Sequence, residues 1–224
     1  MEGEKFDVTP LTKVKRLPKR AVYDKEQVYA ILDEAFVCHV GFSVDGRPFV
    51  LPTGFGRRGE WLYLHGKSSS HMIKHIAQGH PICITVTLLD GIVVARSLFH
   101  SSMNYRSVVI FGKAEEITDP EEKVEAMKIL SNHIIPDRWE NARLPTPAEI
   151  KGTKMVKLHL EEVSAKVRVG PPSDDDADLA TDFWSGVIPV TTQYGTPEAD
   201  PTLKPDISAP PNVAAYRRPT PSGQ

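Results

Sequence analysis

A junction between a strand and a helix, over residues 62–77, carries the residue types that hold a phosphate group. The strand ends at His65-Gly66, and the helix begins after a run of three serines. Backbone N–H groups at a helix start are unpaired and lie at the positive end of the helix dipole. The polar side chains around this start are those of Lys67, Ser68, Ser69, Ser70, His71 and Lys74. The junction predicts a site for a phosphorylated cofactor, with a capped, solvated loop as the alternative.

Composition bounds the class of protein to which the chain can belong. Its 224 residues are 40% hydrophobic, which is enough for a buried core, and the net charge is −2. A balanced charge argues against nucleic-acid binding, and we expect neither a signal peptide nor a membrane span of roughly 20 apolar residues. Cys38 and Cys83 lie in apolar runs, which predicts reduced thiols in a cytoplasmic protein rather than a zinc site.

Hydrophobic periodicity predicts a mainly β domain with flanking helices. Helical spacing and capping signals mark three helices, over 25–36, 70–78 and 119–133. Hairpin turns are expected at Asp45-Gly46 and Asp90-Gly91. About eight strands are expected, over 37–43, 47–56, 61–65, 82–89, 92–97, 107–114, 155–160 and 163–169. Antiparallel hairpins with few helices favour a barrel.

Three regions follow from the changes in composition along the chain. An N-terminal extension is expected over 1–20, the barrel over 21–170 and a proline-rich C-terminal extension over 171–224. Ten of the 19 prolines lie in the last region, so most of it is expected to be extended or disordered. Apolar residues are concentrated over 179–190, a segment expected to dock on the barrel or on a partner subunit. The residues from about Pro210 are expected to be solvated.

Several sequence motifs together resemble one known family. The first is Asp45-Gly46-Arg47-Pro48 leading into Val50-Leu51-Pro52-Thr53, and the second is Leu62-Tyr63-Leu64-His65-Gly66 before the serines. The third, Met103-Asn104-Tyr105-Arg106-Ser107-Val108-Val109, is the most specific, and Ala165-Lys166-Val167-Arg168 and Phe183-Trp184-Ser185-Gly186 add to it. Over roughly residues 20–190 the chain resembles the pyridoxamine-5′-phosphate-oxidase-like family of FMN-binding split barrels, in a branch that resembles the nitroimidazole-resistance flavoproteins.

The resemblance implies a homodimer with two FMN sites in grooves between the subunits. It implies that the backbone of 50–53 lies against the isoalloxazine ring and that 68–71 hold the phosphate. The oxidase branch commonly has an Arg-Lys pair after its serine, whereas this chain has Ser70-His71, which weakens the fixed positive charge. The predicted cofactor-binding residues are Val50, Leu51, Pro52, Thr53, His65, Gly66, Lys67, Ser68, Ser69, Ser70, His71, Asn104, Tyr105, Arg106, Ser107 and Trp184.

Four residues of this set have more than one possible role. His65 is predicted to contact the cofactor, and a catalytic role as a proton donor is a further hypothesis, because imidazole titrates near pH 6.5. Arg106 is interpreted as a flavin ligand, with a surface salt bridge as the alternative. Asn104 either contacts the flavin or fixes a turn. Trp184 contacts the cofactor or the partner subunit, or only packs.

No metal site is expected, although His71, His75 and His80 lie close in sequence, since no carboxylate or thiolate joins them at ligand spacing. The leading hypothesis is an FMN-dependent oxidoreductase that reduces a small organic substrate, such as a nitro compound or a quinone. The chain has no Gly-x-Gly-x-x-Gly fingerprint, so any NAD(P)H would dock transiently over the flavin. The alternatives are a flavin-binding sensor or store without turnover, and a split barrel that binds haem or a deazaflavin. Vitamin B6 oxidation is not expected.

Overall fold

The computed structural model describes residues 3–219, so residues 1–2 and 220–224 of the predicted extensions lie outside it. The six α-helices are α1 Lys25–Glu34, α2 His71–Ile76, α3 Pro120–Ile134, α4 Pro147–Gly152, α5 Asp176–Leu179 and α6 Pro211–Ala214. The ten strands are β1 Ala21–Val22, β2 Val37–Val44, β3 Arg47–Arg58, β4 Trp61–Lys67, β5 Pro81–Val94, β6 Ser102–Lys113, β7 Glu115–Glu116, β8 Thr153–His159, β9 Glu162–Arg168 and β10 Gly186–Pro189. The mainly β prediction with flanking helices is confirmed.

The strands form one antiparallel sheet that curves around the core. Their order is β1-β9-β6-β5-β2-β3-β4-β8-β7, and β10 pairs with β5. Strand β3 joins the two halves, because its first part pairs with β2 and its last four residues pair with β4. This curled sheet with few helices is the expected split barrel.

Alternation of apolar and polar residues sets the faces of the strands. In β2, Cys38, Val40 and Phe42 are buried, while the residues between them point to the opposite face, which we call the outer face of the sheet. Helix α1 begins with Asp24, whose carboxylate accepts a hydrogen bond from the Gln27 amide, and Leu32 of this helix is fully buried in the core. Burial in this core raises the pKa of the Cys38 thiol to about 12.

The hairpin turn predicted at Asp90-Gly91 is wrong. Strand β5 continues through these residues and only shifts its register against β6 between Leu89 and Gly91. A Cβ atom on Gly91 would meet the Val187 side chain at 3.0 Å, because β10 lies directly against this point. A strand from far along the chain therefore keeps an Asp-Gly pair extended.

The expectation that the chain is solvated from about Pro210 is wrong for Tyr216 and Arg218, while residues 220–224 lie outside the described part. Arg218 is 8% exposed, and its guanidinium donates to the carbonyl oxygens of Glu34 at 3.0 Å and of Ala35 at 2.8 Å, at the C-terminal end of α1. The same guanidinium donates to the carbonyl oxygen of His133 near the C-terminal end of α3, and Tyr216 Oη donates to that of Ile134 at 2.7 Å. Tyr216 and Arg218 therefore hold the C-terminal ends of α1 and α3 together, and we call these two residues the clasp.

None of the helices in the described part of the chain combines the length and the apolar character that crossing a membrane would need.

Candidate functional site

The serine run lies between β4 and α2, as predicted, but its hydroxyl groups differ in what they contact. Ser70 is the N-cap of α2, and its Oγ accepts from the Ile73 amide at 3.5 Å. Ser68 Oγ donates to the Gly152 carbonyl oxygen at 2.8 Å and fastens the junction to the start of β8. Lys67, Ser69 and His71 are exposed. These three side chains supply the donor groups at the start of α2 that face solvent.

The exposed first half of β3 lies beside this junction. All six residues from Arg47 to Pro52 are exposed, and Val50 is 65% exposed. The ring of Phe49 contacts that of His71 edge-on at 5.9 Å between centroids. The structure therefore brings the strand predicted to face the flavin ring next to the junction predicted to hold its phosphate.

The outer face of the sheet carries part of the third motif as well. Cross-strand partners point to the same side, and the pairs Pro52–His39, His39–Thr85 and Thr85–Val109 place β3, β2, β5 and β6 in one surface. Tyr105 and Ser107, which lie four and two residues before Val109, share this face with Val50 and Pro52. Three strand spacings separate β3 from β6, about 14 Å. Exposed Val37 and Leu89 lie on the same face, which is apolar and open.

Arg106 points to the other side and is 8% exposed. Its Nε and Nη2 donate to Asp90 at 2.9 and 2.7 Å, and its Nη2 and Nη1 donate to Glu34. These hydrogen bonds raise the pKa of Arg106 further above its already basic value. The guanidinium thus ties the end of α1 to β5 and β6, and the flavin contact predicted for Arg106 would require it to exchange one of these partners.

Asn104 is also held by the chain itself. Its Nδ2 donates to the Gly170 carbonyl oxygen at 3.1 Å, and its Oδ1 accepts from Arg168. This arrangement corresponds to the alternative in which Asn104 fixes a turn, since Gly170 has a φ of 93° where the chain leaves the barrel.

His65 lies away from the outer face, on the side of β4 that α3 covers. It is paired with Met155 of β8 and lines a cavity of about 370 Å³, a size within the usual range of ligand pockets. The surrounding protein lowers the pKa of His65 through desolvation, although the ring is open to solvent at the cavity mouth. This direction of the pKa shift favours the neutral form of the imidazole. Gly66 does not line this cavity, and a Cβ there would meet Ile73 Cγ1 at 2.6 Å, so Gly66 allows α2 to pack closely.

The rest of the cavity comes from residues that the sequence motifs did not single out. Its walls are largely apolar, and its rim carries two arginines and a tryptophan. These lining residues are Met127, Leu130, Ser131, Arg138, Trp139, Ala142, Arg143, Leu144, Pro145, Glu149, Thr153 and Met155. The one signal in the sequence was a loop with two arginines and a tryptophan before a capped helix, residues 138–149.

The rim carries an ion pair. Arg143 Nη1 and Nη2 donate to the two carboxylate oxygens of Glu149 at 2.9 and 2.8 Å. Glu149 also closes a capping box with Thr146 at the start of α4. The hydrogen bonds from Arg143 and then from Thr146 lower the pKa of Glu149 to about 2. Glu149 is therefore ionised at any pH at which the protein is normally handled.

A segment that we call the strap, residues 171–190, crosses the end of β5 and β6. The Asp174 carboxylate accepts from the backbone N–H and Nη1 of Arg96, at 3.0 and 2.9 Å, and from Ser185 Oγ at 3.1 Å. Trp184 is 66% exposed, and its ring lies over Gly186. Its contact with a cofactor or a partner subunit stays a prediction.

Beside this link, possible metal ligands of His100, Asp175 and Asp178 lie within 4.8 Å of one another, and Asp175 is joined to His100 at 3.1 Å. These side chains tie the strap to the loop that precedes β6. His71, His75 and His80 form an aromatic group instead, in which His75 and His80 stack at 4.2 Å between ring centroids.

Comparison with known proteins gives the same assignment as the motifs. A family model described as pyridoxamine 5′-phosphate oxidase matches residues 24–167. The flavocytochrome Anf3 from Azotobacter vinelandii superposes with a TM-score of 0.89 at 42% identity, covering 94% of this chain and 98% of that one. The FAD and heme binding protein from Mycobacterium smegmatis gives 0.84 at 37% identity, covering 87% and 95%.

A candidate 5-nitroimidazole antibiotic resistance protein from Bacteroides thetaiotaomicron gives a TM-score of 0.56 at 28% identity, covering 66% of this chain and 86% of that one. A search of curated protein sequences gave no significant match. The motif resemblance is confirmed by a model over most of the barrel and by two full-length structural relatives. The chain belongs to the pyridoxamine 5′-phosphate oxidase-like family of flavin-binding split barrels.

Proposed function

We propose that the chain is a redox flavoprotein that binds its flavin on the outer face of the sheet. The observation that carries this proposal is the outer face itself, on which Val50 and Pro52 are exposed, while the same strand reaches the donor-rich junction through Phe49, whose ring contacts His71 on the opposite face. A bound flavin would supply two-electron transfer. The strand at Val50 and Pro52 would give the ring an apolar surface, while Lys67, Ser69 and His71 would bind phosphate.

The chain is proposed to act as a homodimer. The predicted residues on β3 and β6 lie about 14 Å apart on an open face, too far for one copy to close around a ring system. A second copy against this face would cover Val37, Val50 and Leu89 and turn the surface into a groove. Light scattering with and without flavin tests this, and a monomeric flavin-bound protein would contradict it.

The proposed flavin is either FMN or FAD. One phosphate-binding junction favours FMN, as predicted from the sequence. The relative from Mycobacterium smegmatis, 37% identical, binds FAD by its description, and on that similarity we propose FAD ahead of FMN. Heat release of the cofactor followed by chromatography against standards identifies which one is bound.

The proposed reaction is reduction of a small organic substrate, a nitro compound or a quinone, with NAD(P)H or another reductant as donor. The similarity to the Bacteroides protein supports the nitro compound. Bleaching of the flavin absorbance by NADH or NADPH, then its return on addition of a nitro compound or quinone, would support turnover. Flavin that no nicotinamide bleaches would support the sensor or store.

A second prosthetic group is proposed for the His65 cavity, namely haem. The cavity presents a neutral imidazole beside apolar walls, including Leu130 and Met155, and such an imidazole is a common iron ligand. Two relatives, a flavocytochrome and an FAD and heme binding protein, support haem in addition to flavin rather than in its place.

Titration with haemin, followed by the shift of its Soret band, tests this second group. Saturable binding that is lost in His65→Ala, with the flavin retained, would support the haem site. Equal binding in both forms would remove His65 as the ligand.

A further inference from the structure

We infer that Arg138 and Arg143 bind the carboxylates of the ligand in the His65 cavity, and that Glu149 competes with those carboxylates for Arg143. The inference rests on the proposed haem site and adds to it the residues that fix the orientation of the group. It concerns the rim of the cavity, whereas the proposed iron ligand is His65 on its wall.

The distribution of charge in the cavity supports this assignment. Arg138 and Arg143 are the two cationic side chains among the described lining residues, and Glu149 is the one anionic side chain. The walls around Met127, Leu130 and Met155 are apolar. A ligand that matches this distribution has a flat apolar body and carries negative groups at one edge. Haem has this character, with two propionate groups on one edge of the macrocycle.

The two arginines differ in whether the charge of the guanidinium is paired with a carboxylate. Arg138 Nη1 donates to the Asn141 carbonyl oxygen at 3.0 Å, which holds the guanidinium on its own loop without neutralising its charge. Arg143 instead faces Glu149 through two parallel hydrogen bonds, the geometry in which arginine binds any carboxylate. Glu149 therefore occupies the position that a ligand carboxylate would take on Arg143.

Glu149 can be neutralised without losing its structural role. Its Oε2 accepts from the Thr146 backbone amide at 2.7 Å in the capping box. Glutamine satisfies the same capping box. Glu149→Gln should therefore keep α4 in place while freeing Arg143 and removing a negative charge from the rim.

The chain offers a matched control pair. Arg58 and Glu125 form an exposed ion pair outside the lining of the cavity, with side chains 64% and 49% exposed. Arg143 and Glu149 are 68% and 49% exposed. Arg58→Ala and Glu125→Gln thus repeat the same chemical changes at the same exposure, without touching the cavity.

The experiment titrates the full-length, flavin-loaded protein with haemin and with haemin dimethyl ester, whose propionates are esterified and uncharged. The unaltered protein should prefer haemin. Arg143→Ala and Arg138→Ala should each weaken haemin binding about fivefold to tenfold and leave the ester unchanged, because only the acid presents carboxylates. Glu149→Gln should tighten haemin binding about threefold, the opposite sign, and the Arg58 and Glu125 variants should change neither ligand.

Three results would overturn the inference, and they differ in what else they rule out. If haemin and its ester bind equally well and the rim variants bind both unchanged, the rim assignment is wrong while the His65 site stands. If neither porphyrin binds the unaltered protein, the proposed haem site fails and the rim assignment with it. A loss of both ligands in Arg143→Ala, together with a lower melting temperature, would mark Arg143 as structural, and would also overturn the inference.

Discussion

The outer face of the sheet and the His65 cavity lie on different sides of the same barrel and are built in different ways. The outer face is a surface of neighbouring strands, β3, β2, β5 and β6, with apolar side chains open to solvent. The cavity is enclosed by α3, a loop and α4 against β4 and β8, with an ion pair at its rim. The cavity is lined by residues of one chain, and the outer face of that chain is open to solvent. The two regions are therefore built in different ways, which is why they are proposed to hold two different groups.

The largest effect is expected from a charge placed on the outer face, which should strongly weaken flavin binding without affecting the cavity. Val50→Asp would put a carboxylate on a surface that the proposed dimer covers, and burying an unpaired charge is costly. We expect flavin affinity to fall about 100-fold or more and the dimer to dissociate, as measured by fluorescence titration and light scattering. Leu144→Asp, at 55% exposure on the cavity rim, is the control and should leave the flavin bound. A dimeric, flavin-loaded Val50→Asp protein would show that the flavin lies elsewhere.

Acid should loosen the cavity side before the outer face. The ring of His133 of α3 lies 5.0 Å from the Phe55 ring between centroids, and its Nε2 donates to the Ala35 carbonyl oxygen at 2.8 Å. Burial is the main cause that lowers the pKa of His133 to about 4. Between pH 6.5 and about 4 the unfolded chain binds a proton that the folded chain does not, so the free energy of unfolding falls as pH falls. The loss should reach about 3 kcal/mol at most.

Desolvation lowers the pKa of His65 as well, which adds to the same trend. Hydrogen exchange resolved by segment should show α3 losing protection before β5 as the pH is lowered from 7 to 4. His133→Gln should flatten the dependence of the unfolding free energy on pH. A slope of unchanged size in that variant would assign the titration to other groups.

The junction at α2 should affect the flavin about tenfold and the cavity not at all. Because Ser70 caps the helix, its replacement would mix stability with binding, at a cost of about 1 kcal/mol. Lys67→Ala combined with His71→Ala avoids this and removes two donors to a phosphate. FMN or FAD should bind about tenfold more weakly, and riboflavin, which has no phosphate, should lose less. Lys74→Ala serves as the control, and equal losses for riboflavin would rule out a phosphate site.

The smallest effect is expected from the strap. Asp174→Asn would weaken the link between Arg96 and Ser185 and free the segment that carries Trp184. If the strap covers the flavin, flavin fluorescence should rise and the dissociation rate should increase by about twofold to fivefold. Asp176→Asn, on an exposed neighbour, is the control. Unchanged values in Asp174→Asn would leave the strap with a structural role only.

The strands of the outer face could be predicted from the sequence because residues close together in the chain determine them. Apolar and polar residues alternate along β2, and the Asp45-Gly46 turn sets its pairing with β3, so neighbouring residues define the surface. The start of α1 was equally readable, because the Asp24 cap lies next to the residues that it caps.

The cavity could not be predicted in this way, because residues distant in sequence build it. His65 was singled out, yet its surroundings come from α3, from the loop at Arg138 and Arg143, and from β8. The same reason explains the wrong turn at Asp90-Gly91, where β10 pairs with a strand nearly a hundred residues earlier. Arg106 was singled out by a motif as a flavin ligand, but the structure pairs it with Glu34 and Asp90, two residues that the motif does not contain, so the flavin contact stays a prediction.

The hydrogen bonds of Arg218 in the clasp have a consequence for folding during synthesis of the chain. Its guanidinium reaches the Glu34 carbonyl oxygen across 184 positions of sequence, and the last carbonyl groups of a helix need such a partner. At 5–20 residues per second, a ribosome takes about 10 to 40 s to cover that distance. During this interval the carbonyl groups at the end of α1 are without this partner. The hydrogen bonds from Arg218 to the end of α1 can therefore form only after the C-terminal segment has been translated.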